Sequence, residues 1–296
     1  MTDSTATDTT MTDTTATGAI VLVATPIGNL GDLSPRALKT LAEADIIACE
    51  DTRRTGKLLE LSGIQPLKLV CLNEHTEEEV AGDLISLAQQ GQLVAIATDA
   101  GSPGISDPPG PLVAAAHAAG VTVSIIPGPS AATAALAVSG LTTGRFVFEG
   151  FLPRKGTARS QRLAALAREP RTIVLFEAPH RLAHTLEDLT KIIGSDRRAT
   201  LARELTKLHE EVSSATLGEL ATQISEGAIP TKGEFVLVLQ GSPEPPEPTD
   251  EAILAAIIAE CTDGATRSEA AQRVAAAYGI SKRRVYALAI ESINCD

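Results

Sequence analysis

Two loops of this chain combine glycine, serine, proline and aspartate directly after short apolar segments. They read TPIGNLGD over Thr25–Asp32 and DAGSPGISDPPG over Asp99–Gly110. Glycine in such a loop lets backbone amides approach a ligand closely, as happens where the buried strands of α/β proteins end. Glycine also serves simple chain reversal, so the composition of these two loops leaves ligand binding and turning equally open.

Three shorter loops favour ligand binding. They read PGPS over Pro127–Ser130, EAPHR over Glu177–Arg181 and KGEF over Lys232–Phe235. The first ends a predicted strand and begins a predicted helix, so its amides can face a polar ligand group. The five loops match neither the P-loop nor the G-x-G-x-x-G dinucleotide pattern, so the sequence does not predict an ordinary nucleotide site.

Apolar strand segments alternate with amphipathic helix segments from Gly18 onwards, which predicts an α/β fold. Residues 18–141 are predicted to form one α/β domain with a largely parallel sheet, and residues 145–241 a second. Residues 242–250 are rich in proline and glutamate and predict an exposed linker. Residues 251–296 predict a small helical unit shaped like a helix-turn-helix, whereas residues 1–17 have little to bury and predict disorder.

Acidic residues outnumber basic ones and give a formal net charge of -12, which argues against a generally basic nucleic-acid-binding surface. Much of this excess lies in the N-terminal tail and in residues 244–263, so the folded domains can still present local basic clusters. Three clusters are candidates for RNA contact: Arg53 with Arg54, Arg154 with Lys155, and Lys282 with Arg283 and Arg284. Each cluster also has a simpler interpretation as a solvated loop or helix start.

The four cysteines include no C-x-x-C pair, so the sequence predicts neither a zinc site nor a disulfide framework. The N-terminus lacks the basic and apolar segments of a signal peptide. The most apolar stretch, Leu112–Leu141, is interrupted by glycine and proline and predicts no membrane span. These features predict a cytoplasmic protein without a metal site.

Nine motifs resemble those of the ribosomal RNA small-subunit 2′-O-methyltransferases of the tetrapyrrole methylase superfamily. In chain order they are TPIGNLGD, ACEDTRRTGKLL, NEHTE, TDAGSPGISDP, PGPSA, FEGFLPRKG, FEAPHRL, RELTKLHEE and KGEF. The resemblance extends from Ile20 to about Leu239 and includes the helical C-terminus. It implies S-adenosylmethionine bound in a cleft between two α/β domains, methyl transfer to the ribose 2′-hydroxyl of a cytidine in the decoding region of 16S rRNA, and a homodimer.

The resemblance also implies which residues bind the cofactor. They are Pro26, Gly28, Asp99, Gly101, Ser102, Gly104, Ile105, Ser106, Asp107, Ser130, Ala131, Phe176, Glu177 and Glu234. The central loop departs from the family pattern S-D-P-G-Y, because Pro109 stands where a glycine is expected. Proline fixes φ and removes an amide donor, so the segment from Asp99 to Ser106 carries the prediction.

A ribose hydroxyl becomes a good nucleophile only when a base removes its proton or a cation stabilises the developing oxyanion. Arg203 and Lys207 are predicted to contact phosphate or the oxyanion, with Glu204 orienting them. If the segment that follows Arg203 is helical, Lys207 and Glu210 lie on one side of it. Three sets of residues are candidates for the base or for the stabilising cation: Glu74 with His75, Glu177 with His180, and the cluster of Arg203, Glu204, Lys207 and Glu210.

Two other functions stay open at the level of sequence. One is methylation of a small tetrapyrrole by a member of the same superfamily, which the acidic composition favours. The basic loop at Arg154 and Lys155 and the C-terminal helices argue against it. The other is a cofactor-dependent RNA-binding protein that has no turnover.

Overall fold

The computed structural model describes residues 18–73, 76–105, 110–243 and 248–292. The chain divides into two compact units between Ser242 and Pro243. The first unit contains two five-stranded sheets with their helices, and the second is helical. The predicted α/β class is therefore confirmed. The predicted disordered tail at residues 1–17 and the departure at Pro109 lie outside the described residues.

The first sheet is parallel in every pairing, as predicted, with the order β3-β2-β4-β1-β5. Its strands are β1 (Ala19–Val23), β2 (Ile46–Cys49), β3 (Leu69–Cys71), β4 (Leu93–Ala97) and β5 (Thr122–Ile126). Successive residues of β1 enter two different apolar clusters, since Val21 and Val23 join one and Ile20 the other. Both faces of the sheet are thus covered, and the carboxyl ends of all five strands meet at one edge.

Helices follow these strands. They are α1 (Pro35–Glu43), α2 (Thr52–Leu61), α3 (Glu77–Gln89), α4 (Gly110–Ala118) and α5 (Ala131–Val138). The side chain of Ser34 caps α1 by accepting the amide of Ala37, and Pro35 stands at the first turn, as the sequence indicates. Ser130 occupies the N-cap of α5 but makes no capping hydrogen bond there.

The second sheet is mixed and has the order β6-β7-β10-β8-β9. Its strands are β6 (Phe146–Phe151), β7 (Thr172–Glu177), β8 (Arg198–Arg203), β9 (Glu211–Thr216) and β10 (Phe235–Leu239), and its helices are α6 (Gly156–Ala167), α7 (Leu182–Ile193) and α8 (Leu217–Ser225). Only β6 and β7 pair in parallel. Sequence reasoning missed β9, because this serine-rich edge strand lacks a clear apolar alternation, and it also missed α8, although Thr216 and Glu219 form a capping box at the start of that helix.

The segment after Arg203 is not helical, so the prediction that Lys207 and Glu210 lie on one side of a helix is wrong. The chain turns there with Glu204 and Thr206 in the left-handed region, at φ 51° and 67°, before it enters β9. This turn closes the hairpin between the antiparallel strands β8 and β9. Side-chain proximity in the segment therefore depends on the turn and not on helical spacing.

Helix α5 connects the two sheets. The sequence-based boundary at residue 141 assigns it to the first domain, but its buried face packs on the second sheet. Ala135 and Leu136 share an apolar cluster with Val174, Val236 and other residues of β7, β8 and β10. Beyond the end of the helix, Thr200 donates its hydroxyl hydrogen bond to the backbone carbonyl of Ser139 at 2.8 Å. The two sheets are joined through this helix.

The C-terminal unit contains the three predicted helices, α9 (Asp250–Thr262), α10 (Arg267–Tyr278) and α11 (Lys282–Ser292). Ile253, Ile257, Val274 and Val285 are at most 3% exposed and form its core. Gly279 ends α10 at φ 66°, where a residue with a side chain is disfavoured. Among the described helices of the whole chain, none is both long and apolar enough to cross a membrane.

The role of α5 predicts a contrast between two of its residues. Leu136 is 5% exposed at the contact with the second sheet, whereas Val138 is 50% exposed. Leu136→Ala should lower the free energy of unfolding by about 2–5 kcal/mol, since it leaves a cavity. Val138→Ala should change it by at most about 0.5 kcal/mol. Urea denaturation checks both, and equal effects would contradict the packing of α5 across the two sheets.

Candidate cofactor site

The two glycine-rich loops bind each other through their backbones. The amide of Thr25 donates to the carbonyl of Gly101 at 2.9 Å, and the amide of Gly101 donates back to Thr25 at 3.1 Å. The hydroxyl of Thr98 also donates to Gly101, and that of Thr25 donates to Thr98. Gly101 has φ 86°, which only glycine adopts without strain. The loops after β1 and β4 are therefore one pre-formed structure.

A carboxylate at the end of β4 extends this structure to the end of β2. Asp99 accepts the amide of Asp51 at 3.1 Å, and its own amide donates to Glu50 at 3.3 Å. Its second oxygen lies 3.3 Å from the guanidinium of Arg54. Ser102 reaches the end of β5, because its hydroxyl donates to the carbonyl of Pro129. The ends of four parallel strands are thus linked around one edge.

A cavity of about 430 Å³ lies at this edge, within the range of about 300–1,000 Å³ that is usual for small-molecule sites. It is bounded on one side by the loops of the first sheet and on the other by the ends of β6, β7 and β10. Its lining residues are Ile27, Glu50, Arg54, Asp99, Ala100, Gly101, Ser102, Ile105, Ser130, Ala131, Phe151, Phe176, Glu177, Ala178, Pro179, Glu234, Phe235 and Val236. Both α/β halves of the first unit contribute to it.

Most of the cofactor residues expected from the resemblance line this cavity. They are Asp99, Gly101, Ser102, Ile105, Ser130, Ala131, Phe176, Glu177 and Glu234. Pro26, Gly28 and Gly104 are not among the lining residues, and Ser106 and Asp107 lie outside the described residues. Their assignment to the cofactor stays a prediction.

Sequence reasoning missed several lining residues. One of them is Phe151, whose ring pairs with that of the expected residue Phe176 at a centroid distance of 5.7 Å, in a chain of only 2% aromatic residues. Because aromatic residues are so few, each one was a candidate for a ligand contact. Ile27, Glu50 and Arg54 were missed because no spacing rule indicates which side chain of a loop turns towards a cavity. Arg54 lines the cavity and pairs with Asp99, and its contact with RNA stays a prediction.

Glu177 does not present its carboxylate to the cavity. The side chain is 1% exposed. One oxygen accepts the amide of Ala178 at 2.8 Å and lies 3.3 Å from Arg181, and the other accepts the hydroxyl of Thr185 at 2.6 Å. Its contribution to the cavity is therefore positional, and a base role for it with the exposed His180 does not fit this geometry.

The same buried network fixes the basic loop before α6. Arg159 is 5% exposed and donates to Thr185, to Asp188 and to the carbonyl of Pro153. Arg181 donates to the carbonyl of Leu152 at 2.7 Å. Arg159 therefore does not belong to a solvated basic face. Arg162 pairs with Glu149, which leaves Arg154 and Lys155 as the exposed cations of this loop.

Lys207 lies between two carboxylates. Its ammonium group is 2.8 Å from Glu204 and 2.9 Å from Glu234, which lines the cavity. Burial alone would lower the pKa of Lys207, but the hydrogen bonds to both carboxylates raise it above its usual value. The bond from Lys207 likewise lowers the pKa of Glu204, against the effect of burial. Lys207 is therefore a fixed cation at neutral pH and cannot act as a base.

The stem of Lys207 packs on the first glycine-rich loop. A Cβ added to Gly28 would lie 2.3 Å from Cγ of Lys207, so this contact requires glycine. A Cβ added to Gly233 would likewise lie 2.5 Å from Cγ of Glu204. Lys207 thus joins the loop after β1 to the turn before β9, at the rim of the cavity.

Arg203 has a different environment. Its guanidinium donates to the carbonyls of Lys232 and His209 and lies 3.5 Å from Glu211. The side chain is 13% exposed and is not among the cavity-lining groups. Arg203 therefore holds the KGEF loop against the β8–β9 turn. Its predicted contact with phosphate or the oxyanion stays a prediction.

The remaining candidates are dispersed. Arg53 is 88% exposed and forms a paired hydrogen bond with Asp51. Lys282 and Arg283 are exposed, and Arg284 pairs with Asp250 within the C-terminal unit. Glu210 accepts the amide of Thr206. Glu74 and His75, the other candidate base pair, lie outside the described residues.

Metal binding has no support in the described part of the chain. No three His, Cys, Asp or Glu side chains there are grouped as a metal site would require. The cavity is lined by backbone amides, three phenylalanine side chains, several carboxylates and the guanidinium of Arg54, and the ammonium group of Lys207 lies beside it on Glu234.

Residues 19–221 match the family described as Tetrapyrrole (Corrin/Porphyrin) Methylases. Ribosomal RNA small subunit methyltransferase I of Xylella fastidiosa (strain Temecula1) is 52% identical over 225 residues, which is 76% of this chain and 82% of that protein. The protein of the same name from Synechocystis sp. is 45% identical over 276 residues, which is 93% of this chain and 98% of that protein.

A solved structure of uroporphyrin-III C-methyltransferase from Thermus thermophilus, complexed with S-adenyl homocysteine, has the same fold. Its TM-score is 0.53 at 20% identity, and the match covers 75% of this chain and 97% of that one. The two sheets, with the cavity at their junction, are the layout of a tetrapyrrole methylase. The chain belongs to the tetrapyrrole methylases and, within them, to the family of the ribosomal RNA small subunit methyltransferase I proteins.

The buried network predicts a contrast between two threonines of α7. Thr185 donates to the buried carboxylate of Glu177, whereas Thr190 donates to the carbonyl of Leu186 in its own helix. Thr185→Val should lower the free energy of unfolding by about 1.5–3 kcal/mol, because a bond to a buried charge is lost. Thr190→Val should cost at most about 1 kcal/mol. Urea denaturation measures both, and a neutral Thr185→Val would contradict the network.

Proposed function

We propose that this chain transfers a methyl group from S-adenosylmethionine to the ribose 2′-hydroxyl of a cytidine in the decoding region of 16S rRNA. The single observation that carries the proposal is the cavity formed by both sheets, in a chain whose relatives are named as small-subunit ribosomal RNA methyltransferases. The proposal includes a cytoplasmic location, which the sequence features predict, and a homodimer, which the resemblance to the family implies.

The lining residues fit S-adenosylmethionine. Phe151, Phe176 and Val236 provide an apolar wall for an adenine and for the aliphatic chain. The phenylalanine faces and the carboxylates of Asp99 and Glu234 favour a positively charged sulfur. The backbone around Gly101 approaches without a side chain, and the hydroxyl of Ser130 is left available by the absent capping bond. When bound, the cofactor supplies an electrophilic methyl group.

The chain's own residues then have separate tasks. The linked loops after β1 and β4 bind and orient the cofactor, so that most of its ordering is complete before the reaction. Lys207, held by Glu204 and Glu234 at the rim, stabilises negative charge as it develops on the ribose oxygen. Arg203 keeps that rim in place. No described residue combines cavity access with an uncommitted basic group, so the base stays unassigned.

Exposed cations on both units are candidates for contact with the RNA. Arg154 and Lys155 are held in position by Arg159 and Arg181 and are suited to phosphate. Arg54 lies at the cavity itself and Arg53 beside it, on the solvent side of α2. Lys282 and Arg283 provide a further cationic site on the C-terminal unit.

Methyl transfer to small ribosomal subunits tests the proposal. Subunits from a strain that lacks the endogenous enzyme are incubated with labelled S-adenosylmethionine, and the labelled nucleotide is mapped. Label on the ribose of one decoding-region cytidine is expected. Label on a base, or on a tetrapyrrole in place of RNA, would contradict the substrate. Binding of cofactor and RNA without label would indicate a protein that has no turnover.

Gly101→Val should abolish binding of S-adenosylhomocysteine while the protein stays folded. Valine is strained at φ 86°, and its Cβ would lie 3.4 Å from Ile27, another lining residue. Gly63→Val is the matched control, because Gly63 has φ 71° and a Cβ there meets nothing within 4 Å. Calorimetry should show binding retained in Gly63→Val. Unchanged binding in Gly101→Val would remove this loop from the site.

Lys207→Met should lower the turnover number by about 100-fold, the effect of removing one stabilising donor from an oxyanion. Methionine keeps the length of the stem that packs on Gly28, so the fold should persist. Lys57→Met is the control, since Lys57 forms a surface ion pair with Glu60, and it should turn over normally. Full turnover in Lys207→Met would exclude Lys207 from the mechanism.

A further inference from the structure

The N-terminal turn of α11 carries charge of the wrong sign for helix stability. Lys282, Arg283 and Arg284 occupy it, with no acidic residue in the first turn. The macrodipole of a helix disfavours cations at this end. In the same unit, α9 begins with Asp250 and Glu251, and α10 begins with a capping box that contains Glu269. The start of α11 therefore departs from the preference for acidic residues in the first turn of a helix. A departure of this kind points to a functional reason for the cations.

One of the three cations has a structural partner. Arg284 is 3.0 Å from Asp250 and 3.4 Å from the carbonyl of Pro248, so it holds the start of α11 against the start of α9. Lys282 lies 3.5 Å from the hydroxyl of Ser268 and 3.4 Å from the amide oxygen of Gln272, both neutral groups. Arg283 contacts no carboxylate within the described part of the chain. Lys282 and Arg283 are therefore available for an anion.

An exposed aromatic ring lies one turn beyond these cations. Tyr286 is 40% exposed, and it follows Lys282 by four residues and Arg283 by three, so the three share a face of the helix. Ile290, one turn further, is 57% exposed, while Val285 and Ala289 on the other side are buried at 0%. The exposed face of α11 therefore runs from two cations through a ring to an aliphatic side chain.

The chemistry of this face fits single-stranded RNA. Cations beside an exposed aromatic ring bind phosphates while the ring stacks on an unpaired base. The rest of the unit is acidic, with Asp250, Glu251, Glu260, Asp263 and Glu269 among its described residues. That charge opposes the many phosphates of a duplex and limits the contact to a short strand segment.

We propose that the exposed face of α11, formed by Lys282, Arg283, Tyr286 and Ile290, binds a single-stranded segment of the RNA substrate. Tyr286 stacks on an unpaired base, and Lys282 and Arg283 contact the flanking phosphates. This rests on the proposed function in one respect, namely that RNA is the substrate. The proposal gives Arg284 a structural role within the unit. It adds Tyr286 to the RNA contacts, which the basic residues of the sequence alone do not indicate.

The composition of the chain permits a direct test. It contains no tryptophan and two tyrosines, Tyr278 and Tyr286, so its intrinsic tyrosine emission comes from α10 and α11 alone. Tyr278→Phe leaves Tyr286 as the only emitter, and Tyr286→Phe leaves Tyr278, which is similarly exposed at 43%. Each full-length variant is titrated with a single-stranded RNA oligonucleotide that spans the methylated cytidine.

Stacking should quench the emission of Tyr278→Phe by about half or more at saturation. In Tyr286→Phe the emission of Tyr278 should fall only because the added RNA absorbs exciting light. This variant is therefore the control for that absorption. Tyr286→Ala should weaken RNA binding about ten-fold, and Tyr278→Ala less than about two-fold. Lys282→Gln with Arg283→Gln should reduce the slope of log affinity against log salt by about 1.4, at about 0.7 per phosphate contact. Affinity for S-adenosylhomocysteine should not change.

The experiments distinguish a failure of this inference from a failure of the proposed function. RNA that binds and is methylated while the emission of Tyr286 and the affinity of Tyr286→Ala stay unchanged would overturn the role of α11 and leave the function intact. RNA that is neither bound nor methylated would overturn the function and the inference together.

Discussion

The cavity at the end of the first sheet depends on a pair of reciprocal backbone hydrogen bonds between Thr25 and Gly101. Parallel strands leave their terminal amides and carbonyls at one edge without the ladder partners that the strands themselves provide. Here the loops after β1 and β4 satisfy each other, and the buried hydroxyls of Thr25 and Thr98 complete the arrangement. Because the loops are already ordered, a ligand that enters does not have to order them.

The second half of the first unit is positioned by packing, not by these loops. Helix α5 begins at the cavity with Ser130 and Ala131 and buries Leu136 against the second sheet. The cavity wall from the second sheet then depends on buried charge: Glu177, Thr185 and Arg159 fix the ends of β6 and β7. A buried carboxylate without such partners would be strongly destabilising, so this network links the stability of the fold to the shape of the site.

Much of the fold followed from the sequence, because the parallel sheet has short apolar strands that alternate with amphipathic helices, a clear cap at Ser34 and turns with glycine. The strand β9 did not, since a polar edge strand carries little periodic signal, whereas the capping box of Thr216 and Glu219 at the start of α8 was a signal that sequence reasoning missed. The mistaken helix after Arg203 has the same origin: helical spacing was the only available rule, whereas the left-handed residues Glu204 and Thr206 produce a turn. The motifs located nine of the lining residues. They did not show that Arg54 faces the cavity or that the carboxylate of Glu177 is buried, because a motif does not encode the direction of a side chain.

The central claim is that one cavity, formed by both sheets, holds the methyl donor. A crystal structure of the protein with S-adenosylhomocysteine measures this most directly. Ligand density is expected between the Gly101–Ser102 backbone and the Phe176–Ala178 loop, with contacts to both α/β halves. Density bound to one half only, or at another surface of the molecule, would contradict the claim.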